Sequence, residues 1–227
     1  MKKNTLLRKA LVMVCTMALV ACLSVAATIA YFTDSDSVTN TFTVGNVAIT
    51  MDEKNTDGKD AAGVANDDLV RDTANKYHLV PGVTYEKDPT IHVAENSEDC
   101  WLFVKVENGI AAIEAQAEYK DKNDAIAQGT IAEQMAAFGW TAVAGTENIY
   151  AYEKTVGKAV DVPVFKAFKI DGEKTVNVED GKTKPEGKED IADYANQTVN
   201  VTAYAIQAAG FENSADAWTA LKTQNGL

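Results

Sequence analysis

The run Cys100-Trp101-Leu102-Phe103-Val104-Lys105-Val106 is apolar on both faces from Trp101 to Val104, and charge alternates in only at Lys105 and Glu107. Successive side chains of a strand point to opposite faces, so a strand apolar on both must be covered on both. Aromatic and β-branched residues suit that geometry. A central, buried strand is therefore predicted here. Cys100 heads the apolar run and reads as a small buried residue rather than a reactive thiol.

Neighbouring segments carry the same signal more weakly. Residues 90–93 (Thr-Ile-His-Val) precede a turn at Asn96 to Asp99, which predicts a hairpin between strands near 88–94 and 100–107. Leu79-Val80-Pro81-Gly82 marks a turn. Strands are expected over Thr41 to Asp52 with a slip of phase at Gly45-Asn46, over Trp140 to Val143, Ile149 to Glu153 and Val164 to Ile170. In Thr198 to Gln207, Val199, Val201, Ala203 and Ala205 share one face, while Thr202, Tyr204 and Ile206 take the other.

Two stretches depart from this pattern. Residues 108–139 are Ala-rich, with Ile126, Ile131, Met135 and Phe138 near helical spacing, and predict a helical insertion of one or two helices. Residues 171–190 are charged and Gly-containing and predict an exposed loop. Asn213 or Ser214 is placed to cap a closing helix that carries Trp218 and Leu221. The sum is a mainly β chain, an antiparallel β-sandwich with helical insertions.

The N-terminus obeys a different grammar. Lys2, Lys3, Arg8 and Lys9 precede an almost unbroken apolar run from Ala10 to Phe32, and small residues gather at Ala26, Ala27, Thr28 and Ala30. A basic start, an apolar stretch and a small-residue site make a secretory signal. Residues 1–30 are expected to form a signal-peptide helix cut between Ala30 and Tyr31, leaving one domain over 31–227. Two other readings stay open. The apolar run is long enough for an uncleaved membrane anchor, and Leu19-Val20-Ala21-Cys22 fits a bacterial lipobox.

The 227-residue chain carries a formal charge of −12. Removal of residues 1–30 takes away four bases and no acids, so the charge falls to about −16. Nucleic-acid binding needs a basic footprint, which this balance excludes. Cys15 and Cys22 lie within the signal, so Cys100 would stand alone in the mature chain, without a disulfide partner.

Catalytic patterns are missing from the sequence. The two histidines, His78 and His92, lie fourteen positions apart, with no H-E-x-x-H, cysteine cluster or G-x-S-x-G. His92 alternates with Ile91 and Val93 and is expected to face solvent, and His78 lies at a loop edge. Asp34-Ser35-Asp36, Asp57-Gly58-Lys59-Asp60 and Asn66-Asp67-Asp68 offer hard oxygens but no complete calcium-loop spacing. The expectation is a non-enzymatic protein with no catalytic or metal residues and no cofactor.

Ala30-Tyr31-Phe32-Thr33-Asp34, followed by Asn40-Thr41-Phe42-Thr43-Val44-Gly45-Asn46-Val47, resembles the start of the TasA and camelysin family, whose members are processed by a SipW-type signal peptidase in Gram-positive bacteria. Val80-Pro81-Gly82 with Asp88 to Asn96, and the ending Val201 to Trp218, are similar to further family segments. Pro89-Thr90-Ile91-His92-Val93 departs from the aromatic usual there. The resemblance implies a jelly-roll fold and a secreted subunit of extracellular or biofilm-matrix fibres. Its partners would be further copies of itself or related matrix proteins, with membrane contact only through the uncleaved signal.

In that scheme residues 31–44 act as a donor strand, with Tyr31, Phe32, Val38, Phe42 and Val44 at the subunit interface. The competing reading makes the same residues the first strand of their own domain. A membrane- or lipid-anchored adhesin and a camelysin-like secreted metalloprotease are the alternative functions.

Overall fold

A computed structural model describes residues 33–36, 47–60, 62–66, 68, 70–178 and 184–226. The signal segment 1–30, its cleavage pair Ala30 and Tyr31, and the interface residues Phe32, Val38, Phe42 and Val44 lie outside the described residues.

In chain order the strands are β1 (Thr33–Asp36), β2 (Ile49–Lys54), β3 (Arg71–Asp72), β4 (Thr84–Glu86), β5 (Thr90–Val93), β6 (Cys100–Asn108), β7 (Glu114–Ala115), β8 (Ala117–Lys120) and β9 (Ile126–Gly129). Helix α1 (Ile131–Ala137) follows. Then come β10 (Trp140–Ala142), β11 (Ile149–Tyr152), β12 (Val160–Pro163), β13 (Ala167–Ile170), β14 (Thr175–Val176), β15 (Glu189–Asp190), β16 (Val199–Gln207) and helix α2 (Ser214–Asn225).

The chain is mainly β and its principal sheets are antiparallel, an arrangement consistent with a β-sandwich. A five-stranded sheet runs β1-β16-β6-β11-β10, and a four-stranded sheet runs β12-β5-β2-β3. A three-stranded sheet, β4-β13-β7, stands beside them. Ile49, Met51, Ile91, Val93 and Val162 from the four-stranded sheet share one core with Leu102, Val104, Val106, Val201 and Ala203 from the five-stranded sheet.

β6 occupies the middle of its sheet, as its two apolar faces predicted. Leu102 and Val104 point into the shared core, whereas Phe103 joins Ile149, Tyr204 and Ile206 on the opposite face. That face is covered by α2 through Ala217, Trp218 and Leu221. Asn213 caps α2 by accepting from the Asp216 amide at 2.9 Å, and Gly226 ends it in the left-handed region at φ 66°. The faces of β16 divide as expected, with Val201, Ala203 and Ala205 inward and Tyr204 and Ile206 beneath the helix.

Several expectations need correction. The predicted hairpin of 88–94 with 100–107 does not form. β5 pairs with β2 and β12, and residues 94–99 carry the chain from one sheet to the other. Ala94 donates to the Ala48 carbonyl at 2.9 Å and Ser97 to Ala94 at 3.0 Å, so the turn leaves the plane of β5.

The supposed helical insertion at 108–139 holds one α-helix, Ile131–Ala137, and a short 3-10 turn at Ala111–Ile113; the rest of its regular structure is strands β7 to β9. Ala117 and Tyr119 are buried while Glu118 and Lys120 are exposed, a period of two that outweighed alanine's helix propensity. Ile126 stands 63% exposed on β9, off the helix it was assigned to.

The stretch expected as a loop at 171–190 carries two short strands. β14 pairs in parallel with β15, and Thr175 is buried. The strand expected at 164–170 is confined to β13 at Ala167–Ile170, and Val164 and Phe165, both fully buried, lie between it and β12.

Candidate functional site

In the five-stranded sheet β16 lies between β6 and the edge strand β1. β6 pairs with all of β16, from Val199 to Gln207, and on the other side β1 pairs with Ala203 to Ile206. Thr33 lies opposite Ile206 and Asp36 opposite Ala203. The described part of the 31–44 segment thus pairs within its own chain. Residues 37–46, which follow β1, lie outside the described residues.

Val199 to Thr202 of β16 form one wall of a cleft of about 730 Å³. Met51, Asp52 and Glu53 of β2 line it, as do residues 73–77 and Phe168. Its polar lining starts from an unusual choice in β2. Period-two alternation places Glu53 on the same inward face as Ile49 and Met51, and it is 4% exposed.

A carboxylate there requires partners. Lys87 supplies an ion pair whose two side chains are 11% and 5% exposed, and the Asn75 amide donates to Glu53 Oε1 at 2.8 Å. The Tyr77 ring packs edge-on against Phe168 at 5.2 Å and Tyr85 at 5.9 Å. Burial, then the nearby Glu53 carboxylate, pushes the Tyr77 phenol above its ordinary value. It stays protonated and donates to the Glu86 carbonyl at 3.0 Å.

On the outward face of the four-stranded sheet lies a belt of charge. Arg71 reaches both Asp52 and Asp88, the latter at 3.2 Å, and Lys166 stands 3.9 Å from Asp88. Lys54 pairs with Glu86 at 2.6 Å. His92 belongs to this belt rather than to solvent, which corrects the expectation from its alternation. Its side chain is 29% exposed and lies between two carboxylates. His78 is exposed in the 73–83 connection, and no hydrogen bond joins it to His92.

The acidic loops have local uses. Asp57 accepts from the Lys59 and Lys76 amides, each at 2.9 Å, and Asp60 accepts from the Ala62 and Val64 amides. Those oxygens organise turns. Among the described residues no group of three or more His, Cys, Asp or Glu side chains converges in the manner of a metal centre. Asp67 lies outside the described residues, and of Asp34 and Asp36 only the backbone is described.

Cys100 is buried, and its thiol is pushed up to about 12 by burial and then by Asp99. Thiolate is the reactive form, so the folded protein will resist alkylation at about pH 8. Labelling rates that rise in step with denaturant-induced unfolding are the expected result. Rapid modification of the native protein would contradict it.

Sequence reasoning missed Glu53, Lys87, Asn75 and Tyr77. One signal was present: a glutamate in phase with Ile49 and Met51 marks a buried carboxylate. No protein-family model, curated protein or solved structure matches the chain.

Proposed function

We propose that this protein is a secreted structural subunit of extracellular fibres, with a jelly-roll arrangement of its sheets, assembling by donation of residues 31–44 to a neighbour. Cleavage between Ala30 and Tyr31 by a SipW-type peptidase releases the donor. The receiving site is the β16 edge together with the cleft at Val199–Thr202. The single observation that carries this reading is that Thr33–Asp36, within the 31–44 segment, is laid as an antiparallel strand along β16, the pairing that a donated segment would make with a neighbour. The N-terminal sequence likeness to the TasA and camelysin family supports it further.

Strand addition supplies main-chain hydrogen bonds along an open edge and lets alternate side chains fill the cleft. The same segment that pairs with its own β16 in the free subunit would pair with the next subunit in the polymer. A head-to-tail operation of this kind does not close, and it yields filaments rather than rings. Before processing, the donor is held at the membrane by the signal. No catalytic role or cofactor is part of this proposal.

The test compares polypeptides that begin at Tyr31 and at Gly45 by electron microscopy and light scattering. Filaments from the first and at least roughly tenfold less polymer from the second are expected, since the trimmed form has lost its donor. A synthetic peptide of residues 31–44 should bind the trimmed form one to one and restore any stability lost with β1. Equal polymerisation of the two forms would overturn the proposal. The mass of the natural N-terminus separates the alternatives: a start at Tyr31 fits a released subunit, a modified Cys22 a lipoprotein, and an intact Met1 an anchor.

A further inference from the structure

We propose that His92 is a proton-operated clasp that fastens the edge strand β12 to the four-stranded sheet, so that this edge opens more readily as the medium turns from acidic to alkaline. The geometry alone carries most of the case. His92 sits on β5 with β2 on one side and β12 on the other, directly opposite Thr50 and Asp161. Its Nε2 lies 3.0 Å from Asp52 Oδ1 and its Nδ1 lies 2.7 Å from Asp161 Oδ1. Both partners are carboxylates, which only accept. A neutral imidazole has one N–H and can satisfy one of them; the imidazolium satisfies both and joins three strands.

The two carboxylates are unequally supported. Asp52 also holds the Arg71 guanidinium, which continues to Asp88, and Asp88 has Lys166 3.9 Å away. Asp52 therefore keeps a cation whatever His92 does. Asp161 has His92 as its ion-pair partner among the described residues, and its side chain is 71% exposed. Loss of the proton leaves a lone pair on His92 facing either Asp52 or Asp161. With Asp52 anchored by Arg71, the strain falls on β12. That strand is short and lies at the sheet edge; it ends in Pro163, which has no N–H to give to a ladder. Val162, 1% exposed, is its anchor in the core.

The direction of titration follows. Burial lowers the His92 value, but the hydrogen bonds to Asp52 and then Asp161 outweigh it and raise the value above 6.5. A raised value means that the clasp is fully closed below about 6.5, the unfolded value, and is lost as pH rises through the folded one. The charged groups around His92 are Asp52 and Asp161 in contact with it, and Arg71, Asp88 and Lys166 beyond Asp52.

Hydrogen exchange of the full chain, resolved by peptide and corrected for intrinsic rates, tests the clasp between about pH 6 and 8.5. Protection of residues 160–162 should fall roughly three- to tenfold across that range. Protection of β6 should stay constant and serves as the internal reference. Both His92→Gln and Asp161→Asn should leave β12 with a pH-independent protection. The His92 ring resonances should titrate above 6.5 in the parent and at a lower pH in Asp161→Asn. A parent protein with flat β12 protection overturns the proposal, and so does a His92→Gln variant that retains the pH dependence.

Discussion

Replacing Gln134 with leucine will destabilise the protein by about 4 kcal/mol, through buried backbone groups left without partners. Gln134 is fully buried on α1, at a position whose neighbours Ile131 and Met135 are apolar core. Its Nε2 donates to the Gly129 carbonyl at 2.9 Å and to the Ala167 carbonyl at 2.7 Å. Its Oε1 accepts from the Lys166 amide at 2.9 Å and from the Ala167 amide at 3.1 Å. One side chain thus stands in for a strand neighbour at the start of β13 and ties that strand to α1.

Leucine fills nearly the same volume, so the substitution isolates the polar loss. Each buried group left unpaired costs about 1–3 kcal/mol, and up to four are affected. Urea denaturation of the parent and variant measures the difference, with Met135→Leu as a volume-conserving control expected below about 1.5 kcal/mol. Gln134→Glu gives an independent check. It removes two donors and introduces a buried charge, so its deficit should shrink as pH falls and the carboxyl becomes neutral. A loss for leucine of less than about 1 kcal/mol would show that other partners reach these groups.

Gln134 illustrates what the sequence could and could not reveal. The elements fixed by side-chain pattern alone were legible: the doubly apolar β6, the division of β16 into a core face and a helix-covered face, and α2 with its Asn213 cap. Each is a local rule with a local cause. The 108–139 segment misled because alanine is a good helix former with little to say about burial, whereas Ala117 and Tyr119 are held by their place in the core.

The turn at Asn96 to Asp99 was visible, but its direction was not. Whether a turn reverses a strand in its own sheet or passes it to the other is decided by partners 40 or more residues away. The outer charged belt was hidden for the same reason. Asp52, Arg71, His92 and Asp161 meet only because the sheet order is β12-β5-β2-β3. A glutamine in a run of helix formers reads as solvent-facing, and nothing local says that Gly129, Lys166 and Ala167 need four hydrogen bonds there.

Trp218→Ala will release α2 from the sheet and cost about 3–5 kcal/mol, the range for removing a large buried aromatic side chain. The helix has little of its own to hold it. At 12 residues it is at the lower limit of what persists alone in water, so its stability must come from docking. Docking rests on Trp218, 6% exposed, with Ala217 and Leu221 fully buried beside it. The indole stands 5.2 Å from the Phe103 ring and 6.3 Å from Tyr204, so it contacts both long strands of the five-stranded sheet.

Removing the indole therefore weakens the helix and uncovers Phe103, Ile149 and Tyr204 together. Denaturant titration should show the stability loss, and limited proteolysis should cut within 214–225 at conditions that spare the parent. Trp218→Phe should recover most of the difference, since it keeps an aromatic ring on Phe103. The two substitutions also separate forms of self-association. An uncovered apolar sheet face promotes irregular aggregation, whereas strand addition at β16 depends on residues 31–44. If Trp218→Ala assembled into ordered filaments without those residues, the β16 edge would not be the joint between subunits. If its assembly is amorphous and independent of residues 31–44, the helix serves to keep that face closed, and strand addition at β16 stands as a separate route of association.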